Sequence, residues 1–533
     1  MLFNSYFFIF VFFPIIFFGF FRIGQRSQML ASLWLATASL FFYGWWDASF
    51  VVLLLGSIVF NYGSSYMLGN SVAHQSVKQS KILLTGAISV NLILLCYFKY
   101  VNFFAENINY LFGTSLSIEK VILPLGISFF TFTQIAFLVD TYQGKVKEYS
   151  FLHYVLFVTY FPHLIAGPVL HHKEMMPQFA EPSVFHMNWN NIAVGFTIFV
   201  IGLAKKVLLA DSLAVFSTPI FSAITAGGEP MLFEAWIGSL AYTLQLYFDF
   251  SAYSDMAIGL SLMFNVRLPL NFNSPYKATS IIDFWRHWHM TLSRFLRDYL
   301  FIPLGGSRNG KTQRYLNLMI TMLLGGLWHG AGWTFVIWGG LHGLYLMINH
   351  AWRGIKQQMG WCDGGILARL GAGALTFLAV VVGWVFFRAD NFSSAITMLN
   401  GMAGMNGISL PSSIETPFSD SFLPLNWFVF SGLLPLSQLH IEKAVPLLFI
   451  SFGITWGLPN VHQIFCLYRP VCEDINKSID IIPNVKIPAI LKNKINCHFE
   501  WKPTMTYAWA IGAIFSLAVM GLTHVSEFLY FQF

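Results

Sequence analysis

The sequence predicts an all-α polytopic membrane protein, with about 10–13 transmembrane helices and some re-entrant or cytoplasmic helical pieces among them. Three observations carry that prediction. Of 533 residues, 56% are hydrophobic and only 10% charged, where soluble domains carry about 25% charged residues. Many runs reach the roughly 20 apolar residues that cross a bilayer. Those runs are unbroken rather than alternating, which argues against a transmembrane β-barrel.

Taken in order, the first run, 3–21, is apolar and aromatic but lacks a basic leader and a small-residue cleavage site. It reads as a first membrane helix retained in the mature protein. Further spans are predicted at 30–46, 50–68, 82–104, 121–140, 151–170, 191–218, 232–263, 315–331, 333–350, 368–387, 444–461 and 506–523. Several are too short or too interrupted for simple crossings. Lys205, Lys206 and Asp211 break one long apolar stretch, so the number of helices between 150 and 230 stays open. There is no internal repeat, which weakens a transporter reading built on His329, His289, Asp249 and Asp255 as a polar pathway. A purely structural scaffold would leave the glycine-bracketed His329 without a purpose.

Charge orients the chain. The net charge of +6 sits in loops and is not dense enough to imply nucleic-acid binding. Residues 264–314, 351–369 and 462–503 are rich in Lys and Arg and read as cytoplasmic, whereas 389–443 is acidic and reads as exterior. Arg22 and Arg26, Lys78 and Lys81, and Lys145 and Lys147 mark alternate earlier loops as cytoplasmic, leaving the N-terminus outside. Of the five cysteines, Cys362, Cys466, Cys472 and Cys497 fall in the basic loops and are expected to be reduced thiols; Cys96 lies in a span. A zinc site from Cys466, Cys472, Cys497 and His498 matches no common ligand spacing.

The chemistry concentrates in two stretches. The first, Gly325-Gly326-Leu327-Trp328-His329-Gly330-Ala331-Gly332-Trp333, runs on to Gly339-Gly340-Leu341-His342-Gly343. An ionisable ring between long apolar segments is costly and usually faces a polar cavity. His342 is placed to line the same cavity.

The second stretch, Asp283 to Tyr299, is predicted as one amphipathic helix. At 100° per residue, Trp285, His289, Leu292, Leu296 and Tyr299 share a stripe that should pack inward. Arg286, Ser293 and Arg297 share another, and Arg294 is expected to pair with Asp298 at i, i+4. His287 falls nearly opposite His289, which makes a His-x-His metal site poor. The arginines are either a solvated headgroup face or a dock for an anionic, phosphate-bearing donor.

Asp249 and Asp255, near Ser251, lie on different faces of the 232–263 span, where polar glue between helices competes with a catalytic role. His163, His171 and His172 flank Gly167-Pro168 and read as membrane-edge residues. There is no His-Glu-x-x-His, Gly-x-Ser-x-Gly, P-loop or Gly-x-Gly-x-x-Gly pattern.

Together with Pro124 to Phe132, Phe161-Pro-His-Leu-Ile-Ala-Gly-Pro168 and Tyr247-Phe-Asp-Phe-Ser251 to Asp255, the two stretches resemble the membrane-bound O-acyltransferase (MBOAT) family, in its bacterial polysaccharide-acetylating branch. The likeness covers about residues 120 to 390. It divides the chain into N-terminal helices at 1–120, a catalytic core at 121–390 and a C-terminal portion at 391–533 with two further helices. The family fold it implies is a helical bundle around a central channel.

The resemblance further implies that His329 of Trp-His-Gly is the catalytic residue and that His289 is its second polar partner. Trp328, His342, Asp249, Ser251 and Asp255 are expected along the substrate channel. Trp285, Arg286, Arg294, Arg297 and Tyr299 are expected at the donor's mouth. No permanently bound cofactor or metal is implied. The expected donor is acetyl-coenzyme A or another acyl thioester, including one on a carrier protein. The expected partner is an extracytoplasmic acetyltransferase or esterase-like protein, and the acceptor a polysaccharide: alginate, another exopolysaccharide, cellulose or peptidoglycan, with D-alanyl transfer as a further relative. The expected location is the bacterial inner membrane. Acyl transfer from thioester to alcohol needs a base for the hydroxyl proton, a role for which His329 must be reachable from both faces.

Overall fold

A computed structural model describes residues 1–119, 121–146, 150–361, 364–409, 428–429, 441–472, 501–523 and 528–529. Cys362, Cys497 and His498, and most of the acidic 389–443 loop and of the basic 462–503 loop, lie outside the described residues. The rest is a helical bundle. Among the described residues the single strand pairing is a two-residue one, Ile408–Ser409 with Phe428–Val429.

The helix Leu232–Met263 runs through the middle, and every side chain from Ala241 to Met263 is buried. A helix buried all round has no solvent face on which to place its polar groups, and its two aspartates find partners inside. Asp249 meets Lys206 at 2.7 Å and Asp255 meets Lys205 at 2.8 Å. Both lysines belong to a widened π-turn, Lys205–Ala210, set between the α-helices Trp189–Ala204 and Asp211–Thr225. The run between 189 and 225 is therefore one continuous rod, which resolves the ambiguity that the two lysines create in the sequence. The widened turn lets adjacent cations reach carboxylates on different faces of the neighbouring helix.

Among the described residues, four helical runs are long and apolar enough to cross a membrane: Ser49–Ala73, Val77–Phe112, Trp189–Thr225 and Ile366–Arg388. Phe8–Gly24 and Met505–Met520 are shorter apolar helices. The predicted span 151–170 is not one helix. Helix Phe151–Thr159 stops before Pro162, and residues 160–171 continue as turns and irregular backbone, buried throughout. Pro162 and Pro168 cannot donate to a helical ladder, and irregular backbone at this depth persists because protein surrounds it.

Helices Gly310–His329 and Trp333–Gln358 pack against one another as a hairpin. A Cβ on Gly326 would lie 2.2 Å from the Phe335 carbonyl oxygen, and one on Gly339 would lie 2.3 Å from that of Met322. Only glycine permits this backbone-to-backbone approach.

Candidate active site

His329 is the last residue of its helix, and Gly330 turns the chain into extended geometry. A helix end leaves its final carbonyls without intrahelical donors. Here two neighbouring residues of another π-turn, Cys96–Tyr100, supply them. The Tyr100 hydroxyl donates to Leu327 O at 2.8 Å, and Lys99 Nζ donates to Trp328 O and, at 3.2 Å, to His329 O. Lys99 also reaches Ser128 Oγ at 3.3 Å. A cation at the carbonyl end of a helix meets the favourable pole of its dipole. Sequence reading passed over Lys99, although a solitary lysine inside the apolar run 82–104 was the available signal.

The second stretch departs from the single helix expected. It divides into Ile281–His287 and Met290–Leu296, with His289 between them at φ 41°, in the left-handed region. A π-turn, Arg297–Phe301, follows. Of the predicted inward stripe, His289, Leu292 and Leu296 are buried, whereas Trp285 and Tyr299 are half-buried, as His287 is. His289 is held at Nδ1, which donates to Asn271 Oδ1 at 3.0 Å. The same oxygen accepts from the Thr291 hydroxyl at 2.8 Å and the Thr291 amide at 3.4 Å. Because an amide N–H needs an acceptor, the orientation of the Asn271 carboxamide is settled. A neutral imidazole donating at Nδ1 keeps its lone pair at Nε2.

The fold brings three imidazoles together through tryptophans. Ring centroids run from His289 to Trp328 at 6.3 Å and from Trp328 to His329 at 4.9 Å. They continue to Trp338 at 5.0 Å, to His342 at 4.9 Å, and from His342 to Trp285 at 5.3 Å. Phe387 closes another side of His329 at 5.2 Å. His329 keeps 5% of its surface, and His289 and His342 keep none. His329 is thus packed among Trp328, Trp338 and Phe387 and almost wholly enclosed.

Other expected site residues stand elsewhere. Asp249 and Asp255 are engaged with Lys206 and Lys205 as above, and Ser251 is buried on the same central helix, its hydroxyl directed at Phe248 O at 3.5 Å. Arg294 does not pair with Asp298. It forks onto Glu174, with Nη2 to Oε2 at 2.8 Å, while Arg297 takes Asp298 at 2.7 Å. The π-turn at 297–301 shifts the helical phase on which the i, i+4 expectation rested. Tyr299 donates to Asp140 Oδ2 at 3.0 Å, beside His172 Nδ1 at 3.2 Å and His171. His171 and His172, read from sequence as membrane-edge residues, are buried in this cluster. Of the residues expected at the donor's mouth, Arg286 and Arg297 are exposed, and Trp285 is half-buried against His342.

The described residues thus form a helical bundle, with runs long and apolar enough to cross a membrane, around three buried histidines. The chain belongs to the membrane-bound O-acyltransferase family, whose model matches residues 67–387, and it is an acyltransferase. It is 45% identical over 437 residues to a peptidoglycan O-acetyltransferase of Helicobacter pylori, covering 77% of this chain and 81% of that one. It is 41% identical over 413 residues to a probable alginate O-acetylase of Pseudomonas aeruginosa, covering 75% of each. A teichoic acid D-alanyltransferase of Bacillus subtilis is 25% identical over 282 residues, 51% of this chain and 71% of that protein.

Proposed function

We propose that this acyltransferase takes an acetyl group from a cytoplasmic thioester, acetyl-coenzyme A in the simplest case, and delivers it for O-acetylation of a polysaccharide outside the bacterial inner membrane. His329 is the general base that removes the acceptor hydroxyl's proton as the thioester carbonyl is attacked. The thiolate leaves toward the cytoplasmic side. His289, with its Nε2 lone pair, binds or polarises the reactants beside it. An extracytoplasmic esterase-like protein receives the acetyl group and passes it to the glycan. The observation that carries this reading is the convergence of His289, His329 and His342 in one aromatic chamber at the end of the Gly310–His329 helix.

The test is thioester cleavage by the purified chain in lipid discs supplied with radiolabelled acetyl-coenzyme A. His329→Ala should lower turnover by at least about a hundredfold, the range expected for loss of a general base, with protein yield unchanged. Retained acetyl release would remove His329 from the role. Alginate-like exopolysaccharide is the first acceptor to assay. Peptidoglycan is the second, favoured by the 45% identity to a peptidoglycan O-acetyltransferase. O-acetate on glycans isolated from cells with and without the protein separates them.

A further inference from the structure

The helical run Val77–Phe112 is longer than a membrane requires. From Lys81, on the side that the basic loops assign to the cytoplasm, to Phe112 it rises roughly 46 Å, against a hydrocarbon core of roughly 30 Å. The neighbouring helix gives the same depth. Lys99 Nζ bonds to His329 O at 3.2 Å, and the Gly310–His329 helix has by then climbed 20 residues, roughly 30 Å, from its own basic end. The helix Val101–Phe112 therefore stands beyond the outer edge of the bilayer core, at the rim of the candidate site. Trp333, four residues past His329, donates its indole N–H to Asn107 Oδ1 at 2.8 Å and packs on Phe103 at 5.8 Å.

The tip of this helix is apolar where a helix in water should be polar. Tyr110, Leu111 and Phe112 are 89%, 71% and 75% exposed. Gly113 then reverses the chain at φ 62°, the left-handed conformation that commonly ends a helix. Asn109 ties the returning segment back to the helix, accepting from the Thr114 hydroxyl and the Leu116 amide at 2.8 Å each and donating to Leu116 O at 2.9 Å. Between helix and returning segment lies a cleft of about 310 Å³ lined by Asn102, Ala105, Glu106, Asn109, Leu116 and Ile118. Asn109 is engaged in the turn, whereas Glu106 and Asn102 have no partner among the described residues. A carboxylate is thus presented in a cleft beside a protruding apolar tip.

Charge and shape narrow the occupant. The other segments placed outside share the sign of Glu106: 389–443 holds four carboxylates and one lysine, and 44–50 and 225–231 hold one carboxylate each and no cation. Such a face repels anionic lipid headgroups and acidic glycans and attracts a basic surface. Large exposed side chains in a row, a tyrosine among them, are the anchor type of protein–protein contacts.

Resting on the acyl-transfer reading above, we infer that the Val101–Phe112 helix and the segment 113–118 are the docking surface for the extracytoplasmic partner protein, which sets a lysine or arginine into the cleft on Glu106 and an apolar socket over Tyr110, Leu111 and Phe112. The contact brings the partner to the Trp333 side of the site.

The experiment uses the full-length chain, both in its own cells and purified in lipid discs. Glu106→Arg and the double variant Tyr110→Ser/Phe112→Ser should each lower glycan-bound O-acetate in cells by about tenfold or more, the loss expected from removing an interface anchor. Cleavage of acetyl-coenzyme A by the same purified variants should stay within about twofold of wild type, which also shows that they are folded. A photo-cross-linking amino acid in place of Tyr110 should capture, in intact cells, one protein whose deletion likewise removes the O-acetate. Glu106→Arg in the same chain should weaken that cross-link, and replacing the captured protein's facing lysine or arginine by glutamate should restore it. Wild-type O-acetate in both variants, or cross-links only to lipid, to glycan or to a second copy of this chain, overturns the docking surface; the cross-link decides even if a variant misfolds. Failure of the acyl-transfer reading looks different: the purified wild-type chain then cleaves no acetyl-coenzyme A in a His329-dependent way.

Discussion

Replacing Lys99 by methionine keeps the length and apolar stem of the side chain and removes only its ammonium. The structure gives the size of the effect. Lys99 Nζ supplies donors to Trp328 O and His329 O, the last two carbonyls of the helix that ends on His329, and stands 5.8 Å from the Trp328 ring. A charged hydrogen bond contributes about 1.5–3 kcal/mol, and a cation at a helix carboxyl end adds up to ~2 kcal/mol. Lys99 is half-buried, so the smaller values apply, and about 2–4 kcal/mol is expected overall. The penalty falls on the residue pair that places the imidazole. A displacement of about 1 Å at a reacting group costs on the order of a hundredfold in rate. Lys99→Met should therefore lower kcat for acetyl-coenzyme A cleavage by about that factor while leaving KM within about twofold. Thermal unfolding in detergent should shift down by only a few degrees. Lys99→Arg, which restores a cation, should recover part of the lost rate, and Tyr100→Phe, which removes one bond to Leu327 O, should cost less. Turnover within twofold of wild type in Lys99→Met would refute the idea that this amine holds His329 in place.

Three other perturbations follow from the geometry. Lys206→Met strands the buried Asp249 carboxylate and removes the cation beside Asp211, and should destabilise the protein by about 3–5 kcal/mol; the double variant Lys206→Met/Asp249→Leu should regain the part due to Asp249 but not that due to the half-buried Asp211, read as unfolding midpoints in a double-mutant cycle. Asn271→Leu removes the acceptor that orients His289 and should lower kcat about 10- to 100-fold, the scale seen when the orienting partner of a functional histidine is lost; Asn271→Asp, which still accepts at that position, should retain more activity in the same assay. Glu174→Gln weakens the fork to Arg294, and its effect should register in unfolding temperature with little change in the KM for acetyl-coenzyme A, as expected of a structural ion pair.

The bundle and the burial of His289, His329 and His342 were legible because their signals are local. Long apolar runs declare membrane helices, and an imidazole bracketed by glycines in such a run is conspicuous. The inward stripe of His289, Leu292 and Leu296 was also legible, since it depends on spacing that survives the break at His289. What the sequence hid depends on phase and on distant partners. Nothing local announces that His289 takes a left-handed backbone without being glycine. Arg294 abandons Asp298 for Glu174, 120 residues away. Lys205 and Lys206 interrupt an apolar run in the sequence, yet in space they are the countercharges of Asp255 and Asp249, a pairing that the widened turn makes possible. The buried strand-free segment after Thr159 was read as helix because its composition is apolar; its two prolines carried the opposite message.

The π-turns at Cys96–Tyr100, Lys205–Ala210 and Arg297–Phe301 also bear on how this chain tolerates change in length. Each such turn closes its hydrogen bonds one residue later than an α-helix does, so it behaves as a single-residue insertion absorbed without breaking the rod. Deleting one residue there would heal the helix into regular geometry and leave the faces on either side in register, whereas the same deletion in a regular α-helical turn rotates everything beyond it by roughly 100°. At the first of these sites the cost would be local, because the widened turn is what lets the adjacent Lys99 and Tyr100 both reach the last carbonyls of the His329 helix. Single-residue deletions should therefore be better tolerated within such turns than in the regular α-helical turns that flank them.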